Sequence, residues 1–152
     1  MSVEEKTMYQ QIILQHNKNP HNFGALENPQ FYSKGVNRLC GDQYTVSLLI
    51  DDSKRIELVM FEGEGCALSK ASASIMTEMV QGKSFSDVKE LSESFDHYVT
   101  DLVISSILDE NTVTEWRAFS EMKNFPARKK CVTIIWQTLI AAISDQKNLV
   151  VE

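Results

Sequence analysis

Residues 43–80 read QYTVSLLIDDSKRIELVMFEGEGCALSKASASIMTEMV and carry two strand signals followed by one helix signal. Residues 43–50 are rich in β-forming side chains, and residues 54–62 alternate in hydrophobicity as a half-buried strand does. The segment Asp51-Asp52-Ser53 between them is typical of a turn, so the pair predicts an antiparallel hairpin. The alternation assigns three apolar side chains to one face of the second strand: Ile56, Leu58 and Met60.

Two glycines follow the hairpin, and a helix is expected directly after them. The helix should begin at Cys66 or Ala67 and run to about Gln81, because Gly82 supplies a stop. Small residues fill its first half and allow it to pack closely against the sheet. They are Ser69, Ala71, Ser72, Ala73 and Ser74.

The flanking segments predict the remaining elements. Apolar side chains recur at helical spacing in residues 4–18, and a last helix is expected from Pro126, where a missing N–H costs nothing. Residues 84–121 predict two or three short helices, and residues 31–38 predict a further strand. The fold class is therefore α+β, with a small antiparallel sheet of about three strands and helices packed on one face. We expect residues 1–152 to form a single domain, since this length suits one core.

Composition limits the classes of function. The chain has 152 residues, a hydrophobic fraction of 43% and a formal net charge of −6, which argues against general nucleic-acid binding. The N-terminus lacks the apolar stretch of a signal peptide, and the apolar runs are too short to cross a bilayer. We therefore expect a cytoplasmic protein without a membrane partner. The acidic segment 84–121 is expected to be a solvated helical face, with a docking surface as the alternative.

The chain contains three cysteines, and each lies where a thiolate is favoured. Cys40 is followed by a glycine and then Asp42, so a tight turn can aim the thiol and the carboxylate at the same point. Cys66 lies at the predicted helix start, whose positive end favours a thiolate, and Cys131 follows three basic residues. An odd number of cysteines in a reducing compartment indicates ligands or reactive thiols rather than disulfides.

Three thiols and one carboxylate make a set of four ligands. No two cysteines are close in sequence, so the tertiary fold would have to assemble the set. Such a set suits zinc and equally a small iron–sulfur unit, and Cys40 or Cys131 taken singly could also be a core residue. A cysteine hydrolase would need a histidine base, but no histidine lies in a motif with a cysteine. Each histidine is therefore interpreted as a surface or packing residue: His16, His21 and His97.

Four segments together resemble the NifU/IscU/SufU family of iron–sulfur cluster assembly proteins. They are MYQQIILQHNKNPHNFG at 8–24, LCGD at 39–42, FEGEGCALSKASASIMTEMVQGKS at 61–84 and FPARKKC at 125–131. Lys130 occupies the position at which IscU-type scaffolds carry a histidine ligand. The segment between the last two cysteines also resembles an insertion of the SufU type, so the closest likeness is to the SufU branch.

The resemblance implies a site and a mechanism. Proteins of the SufU type bind zinc through the positions that match Cys40, Asp42, Cys66 and Cys131. They accept sulfane sulfur from a PLP-dependent cysteine desulfurase of the SufS, IscS or NifS type and pass it to downstream iron–sulfur assembly proteins. The position matching Cys40 leaves the metal and takes the sulfur as a persulfide, while a histidine of the desulfurase replaces it. Arg128 is a candidate for contacting the persulfide or the partner.

Three hypotheses about function follow. The first is a zinc-dependent sulfur acceptor, at most a zinc-dependent sulfurtransferase rather than a conventional turnover enzyme. The second is a scaffold that assembles a transient [2Fe–2S] cluster on the same four residues and transfers it to apo-proteins. The third is a zinc-stabilised interaction module without sulfur chemistry. The absence of a histidine before Cys131 favours the first.

Overall fold

The computed structural model describes residues 1–151 and has the expected α+β architecture. The helices are α1 (Val3–Lys18), α2 (Ala67–Val80), α3 (Phe85–Asp101), α4 (Glu110–Arg117) and α5 (Pro126–Ile143). The strands are β1 (Phe31–Asn37), β2 (Asp42–Ile50), β3 (Ile56–Glu64) and β4 (Asn148–Val151). A short 3₁₀ helix, Ser120–Asn124, precedes α5. Within the described residues, no helix is both long enough and apolar enough to span a membrane.

The sheet has four strands in the order β3-β2-β1-β4, one more than the sequence predicted. The predicted hairpin forms, because β2 pairs antiparallel with β3, and β1 pairs antiparallel with β2. The additional strand β4 pairs parallel with β1, where Lys34 lies opposite Asn148. The sheet is therefore mixed. A strand of four residues whose partner lies more than a hundred positions away gives no local signal of its own.

The predicted face of β3 was wrong, because neither Leu58 nor Met60 shares the buried face with Ile56. The side chain of Leu58 is exposed. Pairing with β2 shifts by one residue between Leu49 and Ile50, and this shift leaves Glu57 as an extra residue in β3. Such a bulge reverses the alternation of side chains between the two faces. The side chains of β3 that are buried in the core are Ile56, Val59 and Phe61.

Helix α5 lies at the centre of the molecule and contacts β1, β2, α2 and α3. Its side chains are therefore buried on nearly every side. Helix α2 lies between α1 and α5 and also contacts β3. The hydroxyl of Ser72 donates to the carbonyl of Val132 at 2.6 Å, which joins α2 directly to α5. The two helices that carry Cys66 and Cys131 are thus packed against each other.

The acidic segment contains one long helix rather than only short ones. Helix α3 has 17 residues, and its N-cap Ser84 accepts a hydrogen bond from the backbone N–H of Asp87. Its buried side chains recur every three or four residues, which gives the helix one apolar face towards α5. They are Val88, Leu91, Phe95, Tyr98 and Val99. The acidic side chains occupy the remaining, solvated positions, as expected for this segment.

Candidate metal centre

Cys40 and Asp42 lie on either side of Gly41 where β1 turns into β2. The backbone N–H of Gly41 donates to the carbonyl of Asn37 at 2.9 Å, and the φ of Gly41 is +74°. This left-handed conformation favours glycine. The turn exposes the thiol of Cys40, while Asp42 begins β2 and is completely buried. The predicted tight turn is confirmed, and it separates an accessible thiol from a buried carboxylate.

Cys131 approaches this turn from the second turn of α5. Its side chain is buried, and its Sγ donates to the Sγ of Cys40 at 2.9 Å. The possible ligand atoms of Cys40, Asp42 and Cys131 all lie within 4.8 Å of one another. The structure therefore brings together three of the four side chains singled out in the sequence, although 91 positions separate the two cysteines.

Cys66 joins this group through its backbone rather than through its thiol. It is the N-cap of α2, and its Sγ accepts a hydrogen bond from the N–H of Ser69 at 3.4 Å. Its own N–H donates to Oδ1 of Asp42 at 3.2 Å. The thiol is exposed and lies outside the group of three converging ligand atoms. Its assignment as a fourth ligand stays a prediction.

The carboxylate of Asp42 is held by polar groups that the sequence analysis did not identify. Asn37 donates from Nδ2 to Oδ2 of Asp42 at 3.3 Å, and the hydroxyl of Ser69 lies 3.3 Å from Oδ1. The hydroxyl of Tyr44 is 2.7 Å from that of Ser69, and both side chains are buried. Such outer contacts orient ligands in metal sites. The available sequence signal for a role of Ser69 at this centre was its position three residues after the helix N-cap.

The pKa of the Cys131 thiol shifts in the opposite direction from the one expected from its basic neighbours. Burial raises the pKa of the Cys131 thiol, and the contact with Cys40 and the charge of Asp42 raise it further. The basic residues before it do not offset these effects: Lys129 forms an ion pair with Asp96 at 3.4 Å. The expectation that this basic segment favours a thiolate was therefore wrong. The surroundings of Cys131 therefore favour the neutral thiol when no cation is bound.

Arg128 lies one turn before Cys131 on α5 and is exposed. Its guanidinium carbon lies 6.0 Å from the centre of the exposed Phe125 ring, within the range of a cation–π contact. The side chain is thus accessible at the N-terminus of the helix that carries a candidate ligand. Its predicted contact with a persulfide or a partner stays a prediction.

The donor set fits a thiolate-binding cation. Zinc binds sulfur and carboxylate oxygen together, usually with four ligands in a tetrahedral arrangement. A buried carboxylate next to two thiols, one of them buried, is costly without a compensating positive charge. A cation that bound here would release the thiol protons. The same donors also suit a small iron–sulfur unit.

Comparison with known proteins shows which proteins the chain resembles over most of its length. Residues 8–96 match the family model described as the NifU-like N-terminal domain. The chain is 33% identical over 142 residues to the zinc-dependent sulfurtransferase SufU of Bacillus subtilis, covering 93% of each chain. It is 32% identical over 138 residues to the iron–sulfur cluster assembly scaffold protein IscU of Thermotoga maritima, covering 91% of this chain and 94% of the relative. The crystal structure of the SUF-system protein FiSufU from Fervidobacterium islandicum superposes with a TM-score of 0.74 at 32% identity, covering 90% of this chain and 97% of that one.

Proposed function

Because the chain belongs to the NifU-like N-terminal domain family, whose relatives include iron–sulfur cluster assembly proteins, we propose that it is a zinc-dependent acceptor of persulfide sulfur. The sulfur donor is a PLP-dependent cysteine desulfurase in the cytoplasm, and the recipients are downstream iron–sulfur assembly proteins. Zinc is held by Cys40, Asp42, Cys66 and Cys131. Three free cysteines agree with a reducing compartment.

The different exposure of the two neighbouring thiols is the observation that carries the proposal. Cys40 is exposed on a turn, while Cys131 is buried on a helix in contact with it. A sulfur acceptor needs one thiol that a partner can reach, and it needs other ligands that stay in place. This difference supports an accepting role for Cys40 and a holding role for the buried Asp42 and Cys131.

The transfer exchanges one sulfur–sulfur bond for another. The Cys40 thiolate attacks the outer sulfur of the persulfide on the desulfurase. A bond forms between Cys40 Sγ and that sulfur, the bond to the donor cysteine breaks, and the donor leaves as a thiolate. No net oxidation or reduction occurs. Arg128, exposed one turn before Cys131, supplies a positive charge that suits the anionic persulfide.

Zinc bound at this centre would keep its thiol ligands deprotonated near neutral pH and would add no redox chemistry of its own. The residues around it have separate tasks. Asp42 is fixed by Asn37, by Ser69 and by the N–H of Cys66, so it keeps its place when Cys40 moves. The turn through Gly41 allows Cys40 to swing outward without disturbing β2.

A scaffold for a [2Fe–2S] cluster is the second candidate, because thiolates are the usual ligands of such clusters and the IscU relative is named as a scaffold. The same four side chains would hold the cluster. The buried carboxylate of Asp42 would be its one oxygen ligand. Cluster assembly requires iron and sulfide, so the two candidates differ in what the protein carries after purification.

Cys40→Ala tests the proposed function. We expect this variant to keep its fold, because Cys40 is exposed, and to lose both persulfide formation and stimulation of the desulfurase. Mass spectrometry after incubation with desulfurase and cysteine measures the added sulfur. The natural chain purified anaerobically should contain zinc and show no visible absorption.

Cys66→Ala is the matched control, since that thiol is also exposed but caps α2. It should bind zinc more weakly and, at saturating Zn²⁺, still accept sulfur on Cys40. Persulfide formation on Cys40→Ala equal to that of the natural chain would exclude the relay. Iron with acid-labile sulfide and a visible chromophore would favour the scaffold. Zinc loss in both variants without any sulfur phenotype would favour an interaction module.

A further inference from the structure

Two histidines that the sequence analysis assigned to the surface or to packing meet at one point. His16 lies in the last turn of α1, and His21 lies in the following turn, immediately after Pro20. Their ring centres are 5.0 Å apart. Glu78, in the last turn of α2, contacts Nδ1 of His21 with its Oε1. One possible ligand atom from each of His16, His21 and Glu78 lies within 4.8 Å of the other two.

We propose that His16, His21 and Glu78 form a second cation site, distinct from the cysteine centre, for a divalent transition cation such as Zn²⁺. Two imidazoles and one carboxylate are a common donor set for zinc and related metals, whereas Mg²⁺ and Ca²⁺ prefer oxygen ligands alone. The half-exposed side chain of His21 leaves space for a water molecule as the fourth ligand. This inference is independent of the sulfur-transfer function.

Two side-chain hydroxyls of α2 hold the histidines in place. The hydroxyl of Ser74, buried on α2, accepts the backbone N–H of His21 at 2.8 Å and lies 2.7 Å from Nδ1 of His16. The hydroxyl of Thr77 lies 3.3 Å from the carbonyl of His21. The segment carrying His21 is therefore fixed to the same helix that carries Glu78. Such pre-organisation lowers the entropy that binding a cation would cost.

Glu115 of α4 gives His16 a carboxylate partner. Its Oε2 lies 3.2 Å from Nε2 of His16, and both side chains are largely buried. A carboxylate on one ring nitrogen orients a metal-binding imidazole. The other nitrogen, Nδ1, lies 2.7 Å from the hydroxyl of Ser74, and a cation bound to Nδ1 would replace this contact while the hydroxyl keeps the bond from the N–H of His21. Because Glu115 holds Nε2, Nδ1 is the nitrogen that we assign to the cation.

The histidine cluster is separate from the cysteine centre. Cys66 caps the N-terminus of α2 and Glu78 lies in its last turn, which places the two sites about 18 Å apart along the helix axis. A cation at the second site would connect α1, the segment after it, α2 and, through Glu115, α4. We therefore expect it to stabilise the packing of these helices rather than to take part in sulfur transfer.

Zinc stoichiometry by equilibrium dialysis tests the inference. The full chain, His21→Ala and Glu78→Gln are each dialysed against excess Zn²⁺. We expect both variants to bind one equivalent less than the natural chain. His97→Ala is the matched control, because His97 is exposed on α3 and lies outside the cluster. It should bind as much zinc as the natural chain. The difference in zinc stoichiometry between the natural chain and these variants tests the second site whether or not the cysteine centre binds zinc.

Imidazole nitrogen chemical shifts give an independent test that does not depend on the variants folding. When Zn²⁺ is added to the natural chain, the ring nitrogens of His16 and His21 should shift and those of His97 should not. Equal zinc stoichiometry in the natural chain and in both cluster variants would overturn the proposal. Unchanged shifts of His16 and His21 at saturating zinc would overturn it as well, and would leave two hydrogen-bonded histidine–glutamate pairs.

Discussion

Asp42 is the residue on which both the structure of the cysteine centre and its proposed chemistry depend most. It is fully buried, and its two oxygens accept hydrogen bonds from Asn37, from Ser69 and from the backbone of Cys66. Removal of the carboxylate in Asp42→Ala leaves buried donors without acceptors, which costs about 1–3 kcal/mol of unfolding free energy for each unsatisfied group. Urea denaturation of the metal-free variant measures this loss.

The same variant distinguishes the two candidate functions. Asp42 is the only oxygen ligand among the sulfur ligands of the proposed set, so its loss should lengthen the lifetime of a reconstituted [2Fe–2S] cluster if the chain is a scaffold. Decay of the visible absorption measures the lifetime. Asp51→Ala is the control, because Asp51 also accepts backbone hydrogen bonds, from Ser53 and Arg55, but in an exposed turn. A cluster lifetime unchanged in Asp42→Ala would count against the scaffold.

At the level of secondary-structure elements, the close approach between the start of α2 and the sheet shapes the cysteine centre. Gly65 connects β3 to α2, and a methyl group there would collide with the hydroxyls of Tyr44 and Ser69 and lie 2.7 Å from Oδ1 of Asp42. Gly65→Ala must therefore displace the groups that orient Asp42. We expect zinc affinity to fall by about 10- to 100-fold, the usual effect of disturbing such contacts. Competition with a chromophoric chelator measures the affinity.

Gly82→Ala is the matched control for this substitution. Gly82 follows the other end of α2, and nothing lies within 4 Å of the position that its methyl group would take. Its φ of +80° means that alanine there is strained, so Gly82→Ala should lower stability without changing zinc affinity. Equal affinities for Gly65→Ala and the natural chain would show that the contacts of Asp42 with Ser69 do not matter for the metal.

The elements that could be predicted are those with a local signal. The hairpin, α2 and the start of α5 at Pro126 follow from alternation, glycines and proline, and the structure contains all of them. The bulge at Glu57 could not be predicted, because it arises from pairing between β2 and β3 and not from the sequence of either strand. The strand β4 could not be predicted either, because it forms by pairing with β1, which is distant from it in the chain.

Over the whole molecule, residue chemistry indicated the site, but only the fold shows which atoms meet. The three cysteines and Asp42 could be singled out because thiols are few and their neighbours are distinctive. The shared donors around Asp42 could not, since serine and asparagine are common and their roles depend on packing. The histidine cluster could not be predicted either, because Glu78 is far from both histidines in sequence and meets them only in the fold.

We expect the whole molecule to fold without metal. Its core joins the sheet to α2, α3 and α5 through large buried side chains such as Phe61, Phe95 and Trp136. Small zinc fingers differ, because most of their folding free energy comes from the metal. We therefore expect the EDTA-treated chain to keep its helical circular dichroism and to unfold cooperatively.

Zinc should then act as an ordinary stabilising ligand of this folded chain. Free zinc at about 100 times its Kd adds about 2.7 kcal/mol, which corresponds to a rise in Tm of about 5–10 °C for a chain of this size. Calorimetry in the His21→Ala background restricts the measurement to the cysteine centre, and Cys131→Ala in that background should abolish the rise. A metal-free chain without a cooperative transition would contradict this account, because the apolar core would then be too weak to fold without the cation.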